Sequence, residues 1–444
     1  MLTASGGLTG TFSSVILSGF GSGLSPVLGY DADSAFLTFG GTPPPVTPVL
    51  PSGTTTNGNS VAAAINFAMA HDNAGTAFAS LGTLPPDQFG AVLAQMSGEV
   101  GTGLQTMARS SIDTFLSGLL DPSVGGRGGV GSGDICTASD LHYERVADEA
   151  PNDETPYEDP SRRALILWSS FHYDRNRLDA DVATGTHQNS GTGISGMVGL
   201  DYTPRYGNGA VGIAFGVDQE NWKLAKSLGK GEALALQVGA YYSRRFARNY
   251  YFDAAFSYAA YHVTTDRSLS FNGNNLYHAS FNASSESARF EFGHVFKVGQ
   301  DELTPYVRFT AQDLGTPNYA ESTLTGSTAF ALSYTEKQRF DYTSELGAAW
   351  NSILSSDAGA TTGLRARLGW LHDYGNGITN VATFSAFNGA SFNLAGASPA
   401  KDAVHFALGV EYNTGHVALT LDTDDTLSTT EEIFGGRASV AYRW

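Results

Sequence analysis

The 444-residue chain holds a single cysteine, Cys136, so it can form no internal disulfide and no cysteine-ligated zinc or iron–sulfur centre. Charge is scarce too, at 15% of residues against about 25% in soluble globular proteins. Basic residues are the scarcer sign. The 25 Lys and Arg stand against 43 Asp and Glu, a net charge of −18. That balance argues against nucleic acid as a partner, because neutralising phosphates takes a basic surface. The deficit is uneven: residues 1–160 contain 3 basic and 16 acidic side chains, residues 161–444 contain 22 and 27, and the first lysine is Lys223. No run reaches the ~18 apolar residues of a transmembrane helix. The best stretch, Val61 to Ala70, is short and contains Asn66. The opening Met1-Leu2-Thr3-Ala4-Ser5-Gly6-Gly7 has neither the basic nor the apolar region of a signal peptide. For an exported protein, that absence predicts that the sequence is a fragment.

What is abundant is equally selective. Glycine numbers 53, about 12% against a usual ~7%. Phe 26 and Tyr 20 bring aromatics to 11%, although mean hydropathy is only −0.14. Few charges, many aromatics and much glycine fit a transmembrane β-barrel, where one strand face meets lipid and the other meets water.

Five segments follow one another. Residues 1–40 are rich in Gly, Ser, Thr and Leu, and runs such as Phe12 to Leu17 and Ser34 to Phe39 read as short strands of a β-solenoid end or a small sandwich. Residues 41–59, with Pro43, Pro44 and Pro45, read as a linker. Residues 60–121 turn helical: Ser60 is a plausible N-cap for Val61–Ala70, and Pro85-Pro86-Asp87 opens a second helix. A third, over 100–120, carries Leu104, Met107, Ile112, Phe115, Leu116 and Leu119 near a 3.6-residue period and stops at Asp121-Pro122. Residues 122–160 are glycine-rich and then acidic, with nine Asp and Glu from Asp134 to Asp159 against Arg145 alone. Such a tract reads as solvated chain rather than a calcium loop, since the ligand spacing of an EF-hand is missing.

From Ala164 the pattern changes to period two. Leu234, Leu236, Val238, Ala240 and Tyr242 alternate with Ala235, Gln237, Gly239, Tyr241 and Ser243. Twelve strands are expected, at 164–177, 192–203, 210–223, 231–245, 250–266, 280–298, 303–315, 336–351, 361–375, 403–413, 416–425 and 432–444. They are longer than the usual 5–6 residues, as a tilted strand crossing a bilayer requires. Short connections alternate with long ones, and aromatics recur near strand ends. The polar alternates include Asp174, Asp201, Asp218 and Arg443. Eight of them are candidate lumen charges: Asp253, Arg289, Glu291, Arg308, Glu345, Arg365, Arg367 and Glu411. A soluble sandwich would put these outside and the apolar set inside. The strand lengths and turn alternation favour the transmembrane barrel, an all-β fold preceded by a helical junction and a short β-rich, solenoid-like remnant.

The order of segments resembles the C-terminal half of an autotransporter (type V secretion). The resemblance rests on Leu24 to Phe39 as a passenger-like ending and on the junction Leu84-Pro85-Pro86-Asp87-Gln88-Phe89 to Glu99. It rests also on the opening strand Leu167-Trp168-Ser169-Ser170-Phe171 and the closing strand Gly436 to Trp444. It implies an outer-membrane translocator of residues 161–444 whose N-terminal passenger is exported to the surface of a Gram-negative cell. Its partners would be outer-membrane lipid, its own passenger segment and the barrel assembly machinery. Val440, Tyr442 and Trp444 on the closing strand resemble the signal which that machinery reads. A helix in the pore is implied as well, with 100–120 as the candidate, although the acidic tract separates it from the first strand.

No catalytic, cofactor or metal motif stands out. There is no HExxH, Walker A loop or strand-to-helix GxGxxG, and Gly193-Ile194-Ser195-Gly196-Met197 lacks the final glycine of a nucleophile elbow. The expectation is a non-enzymatic secretion device without cofactor. A porin-like channel and, further off, a barrel-associated hydrolase are the alternatives.

Overall fold

The computed structural model describes residues 55–121 and 164–444 with short interruptions, together with short stretches of residues 2–40. Twelve antiparallel strands form the body: β1 Ala164–Leu178, β2 Asn189–Thr203, β3 Gly209–Leu224, β4 Lys230–Phe246, β5 Tyr250–Leu269 and β6 Asn275–His294, then β7 Asp301–Thr316, β8 Lys337–Asp357, β9 Ala360–Asp373, β10 Asp402–Asn413, β11 Val417–Ser428 and β12 Glu431–Arg443. Each pairs with the next, and β12 returns to β1 from Glu431↔Leu178 to Arg443↔Ile166, closing the barrel. Closure leaves no unpaired edge, which is what a sheet in hydrocarbon requires.

Alternation divides every strand between two environments. On β4, Leu234, Leu236, Val238, Ala240 and Tyr242 are exposed, while Ala235, Gln237, Gly239, Tyr241 and Ser243 are buried. Exposed Phe171, Ile194, Phe215, Phe256, Leu346, Leu408 and Leu421 continue this apolar band around the outside. For a soluble protein such a girdle would be an aggregation surface; for a barrel it is the lipid contact.

Much of the glycine has a place in the wall. Trp168, Tyr241, Tyr251, Tyr306 and Trp222 stand directly opposite Gly199, Gly212, Gly293, Gly347 and Gly231 in the strand register. A Cβ on any of these glycines would strike the facing ring, so each inward aromatic lies flat across a neighbouring strand.

Among the described residues four α-helices precede the barrel: α1 Thr56–His71, α2 Gly75–Phe78, α3 Pro86–Met96 and α4 Gly103–Leu119. Helix α1 begins inside the segment expected as linker, because Thr55 and Asn57 find partners. Thr55 Oγ1 accepts the Gly58 N–H at 3.1 Å, and the Asn57 side chain bonds both backbone groups of Ala395, at 2.8 and 2.9 Å. α1–α3 cover the long-connection end of the barrel. There Val61, Ile65, Phe78, Leu93 and Met96 share a core with Phe271, Phe330, Leu332, Phe384 and Phe392.

The connections 316–335 and 376–402, expected as plain loops, supply a second sheet: Tyr319–Ala320, Leu332–Tyr334, Thr379–Phe384 and Ser391–Ala395. The hairpin expected to open at 267–279 instead stays paired to Leu269↔Asn275, since Leu269, Phe271 and Tyr277 have this cap to pack on. The short strands Leu2–Thr3, Ser25–Tyr30 and Ser34–Gly40 pair antiparallel, where solenoid coils would pair parallel. Residues 13–17 of the first expected strand, and the whole tract 122–163, lie outside the described residues.

Candidate functional site: the lumen and its helix

Helix α4 runs inside the barrel. Its first residue, Gly103, lies against Trp222 near the end of β3, and the Trp222 indole N–H donates to the Val100 carbonyl in the turn just before the helix at 3.1 Å. Its last residues reach the middle of the barrel, where the Asp121 carboxylate lies 3.3 Å from Arg365 and 3.4 Å from Arg437. The N-terminus of α4 is therefore at the long-connection end, and its C-terminus points toward the end where β1 begins.

The helix has two faces because its sequence has two stripes. Leu104, Met107, Ala108, Ile112, Phe115 and Leu119 pack against small or apolar lumen residues of β2–β5, among them Met197, Ala214, Ala235, Ala255 and Ala259. Phe115 lies over Gly216 and Gly239, and Met197 fills the notch left by Gly118. The opposite stripe, Arg109, Asp113 and Ser117, is spaced by four residues and faces the other wall. Arg109 pairs with Asp373 at 2.8 Å. Arg289 pairs with Asp113 and donates to Ser117 at 2.9 Å and Thr310 at 3.0 Å.

That second wall, β6–β12, is ionic. Glu291, Arg308 and Glu345 are register partners on adjacent strands, with Arg308 bonded to Glu291 at 2.8 Å and to Glu345 at 3.1 Å. Arg367 reaches Glu291 at 3.2 Å, the Tyr251 hydroxyl donates to Glu291 at 2.8 Å, and the Tyr306 hydroxyl donates to Glu345. His405 lies between two carboxylates, with Nδ1 2.9 Å from Glu345 and Nε2 2.8 Å from Asp424. Arg365 crosses Gly409 to pair with Asp422, which also takes Arg437 at 3.3 Å. The ionic network around α4 thus falls into clusters: Arg308, Arg367 and His405 with Glu291, Glu345 and Asp424; Arg365 and Arg437 with Asp422 and Asp121; Arg289 with Asp113; and Arg109 with Asp373. Beside it, between the end of α4 and β7–β12, a cleft lined by Ser117, Leu120, Asn351 and Asp424 opens to solvent.

All eight sequence-selected charges lie on the inward faces. Arg289, Glu291, Arg308, Glu345, Arg365 and Arg367 join the network directly. Asp253 accepts from Ser243 at 2.6 Å, and Glu411 is buried two residues beyond Gly409. Arg443, grouped with the inward alternates, is exposed at the strand end instead. Sequence reasoning missed Asp113 and Ser117 on the helix, Asp121 just past its end, and Asp422, Asp424, His405 and Arg437 on the strands. The four-residue spacing of Arg109, Asp113 and Ser117 could have found the helix partners. The run Asp422-Thr423-Asp424-Asp425 hides its alternation. Val440, Tyr442 and Trp444 face outward, all exposed, and the Trp444 N–H donates to the Leu165 carbonyl at 3.2 Å.

At the mouth, Glu99 is buried just before α4. It accepts the His187 backbone N–H at 2.7 Å and contacts the ring Nδ1 at 2.8 Å. Burial pushes its carboxyl above the usual glutamate range, against the opposing pull of these contacts.

A closed twelve-stranded barrel with a lipid-facing band and a helix in a charged lumen defines a transmembrane β-barrel with an occupied pore. The family model of the autotransporter beta-domain matches residues 167–424, more than half of the chain, and the chain belongs to that family. It is an outer-membrane β-barrel. Among solved structures it is similar to the translocator domain of autotransporter NalP from Neisseria meningitidis, at 16% identity and a TM-score of 0.51, covering 70% of this chain and 100% of that one. It is also similar to the beta domain of the Bordetella autotransporter BrkA, at 15% identity and 0.48, covering 63% and 100%. A third is the transport unit of AIDA-I from Escherichia coli, at 10% and 0.42, covering 69% and 98%. No curated protein matches the chain.

Proposed function

We propose that the chain anchors its own N-terminal segment at the cell surface after exporting it through the barrel, acting as a non-enzymatic device. The observation that carries this reading is the direction of α4. β1 begins at the short-turn end, α4 ends halfway up the lumen, and the described residues of 55–102 lie at the opposite mouth. A chain tethered to β1 and running through a closed ring arrives there by passing along the lumen. In this reading the long-connection end faces outward, residues 1–102 are the exported portion, and the ionic wall gives a polar chain a hydrated track. Val440, Tyr442 and Trp444 would be read by the barrel assembly machinery before closure.

The test is surface topology. A signal peptide and an epitope tag are placed ahead of Met1, the chain is expressed in a Gram-negative host, and intact cells are treated with protease. Loss of the tag, with the 161–444 fragment retained in the outer membrane, is expected. A protected tag on an inserted barrel would overturn export and leave a channel. Trp444→Ala is expected to lower the amount of inserted barrel without changing tag exposure among the molecules that do insert.

A further inference from the structure

Lysine is rare in this chain, with six residues in all, yet Lys223, Lys226 and Lys230 fall within eight positions at the β3–β4 connection. All three are exposed, as are Arg175 and Arg177 on the outer face of β1. The strand register brings them together. Arg177 faces Ser190, Ser190 faces Lys223, and Lys223 faces Lys230, so two lysines stand directly opposite each other. Like charges in that position destabilise a sheet. The turn between them carries a second cost: Lys226 has φ 57°, the left-handed region that favours glycine. Arg177 is paired with Asp179 at 3.0 Å and Lys230 is 3.6 Å from Asp266. Among the described residues no carboxylate lies within ion-pair distance of Arg175, Lys223 or Lys226.

The location says what would satisfy these charges. The patch is on the outer, lipid-facing side, and it begins where the apolar band ends. Tyr173 is the outward residue just below Arg175, and Leu234 is the second outward residue below Lys230. Cations at that boundary meet lipid headgroups. We propose that this rim of β1, β3 and β4 is a binding site for the phosphate groups of a phosphorylated glycolipid in the outer leaflet. Bound phosphate relieves the Lys223–Lys230 opposition and engages the left-handed Lys226. The proposal rests on the orientation inferred above, with the long-connection end at the cell surface. An inverted barrel would present the same rim to inner-leaflet phospholipid.

The test is native mass spectrometry of the full chain in detergent micelles, counting adducts of bisphosphorylated lipid A, dephosphorylated lipid A, phosphatidylglycerol and inorganic pyrophosphate. Bisphosphorylated lipid A is expected to bind best, more weakly as salt rises. The Lys223→Gln, Lys226→Gln, Lys230→Gln variant is expected to lose about 100-fold in affinity, at ~1 kcal/mol per charge. The triple Lys→Arg variant should retain binding, and Arg175→Gln with Arg177→Gln, on a separate strand, should weaken it independently. Heat-modifiable gel mobility confirms that each variant is folded. Equal binding of dephosphorylated lipid A, or unchanged binding by the glutamine variant, overturns the proposal. Pyrophosphate bound as tightly as lipid A reduces it to a generic anion site. A preference for phosphatidylglycerol overturns the glycolipid; combined with a protected tag in the topology experiment, it would place the fault in the orientation instead.

Discussion

The two walls of the lumen hold the same helix by different physics. β2–β5 offer alanine, glycine and methionine to the apolar stripe of α4, and the contact is close packing. β6–β12 offer arginines and carboxylates bonded chiefly to one another, with α4 joining through Asp113, Ser117 and Asp121. The first wall supplies most of the seating free energy, since burial of large apolar side chains is worth several kcal/mol. The second is costly to assemble in isolation but self-compensating, and it keeps the rest of the lumen polar and hydrated. In the proposed export reading, a chain in transit slides past such a surface, and an amphipathic helix stops against the other.

Substitutions can break this contrast from either side. The largest effect is expected from Phe115→Ala, which empties the space over Gly216 and Gly239 and should cost about 3–5 kcal/mol of helix seating. Conductance of the barrel in planar bilayers should rise as α4 leaves, while the strands stay folded. Gly239→Leu attacks the same contact from the wall, because even a Cβ there would lie 2.6 Å from Leu119 and 2.9 Å from Phe115.

Glu345→Gln comes next, at about 3 kcal/mol, since it removes the charge shared by Arg308 and His405. Its signature should differ: the heat-modifiability midpoint of the barrel falls and conductance stays low. Opening of the channel by Glu345→Gln would show that the ionic wall seats the helix after all. Arg289→Met is expected to cost less, about 1–2 kcal/mol, because its partner Asp113 is 57% exposed and stays hydrated. A double-mutant cycle with Asp113→Leu measures the coupling.

The smallest effect is pH-dependent. The Glu99 carboxyl is raised above its ordinary value of 4.5 by burial, so the folded mouth favours the protonated form. That contribution is present below pH 4.5 and is lost as pH rises through the raised value. Protease resistance of the junction should decline over that range, and Glu99→Gln should abolish the slope.

The sequence alone settled the barrel and its strand count. A period of two needs no knowledge of the partner strand: lipid outside and polar lumen inside impose it on each strand separately, as at Leu234 to Tyr242. The inward charges were legible for the same reason, since Arg308 or Glu345 on an otherwise alternating strand has one face left to occupy. The apolar stripe of α4 was equally visible at its 3.6-residue spacing. The tertiary structure alone decided who meets whom. The pairing of Arg289 with Asp113 joins residues 176 positions apart, and nothing local selects that partner among 43 carboxylates. The second sheet of the cap escaped notice because strands of two to six residues gain their pairing from a distant loop and from the helices above them. Which end of α4 entered the lumen, and hence the direction that supports export, was also a tertiary fact. Periodicity fixes which face of a helix is apolar but carries no information about which way its axis points.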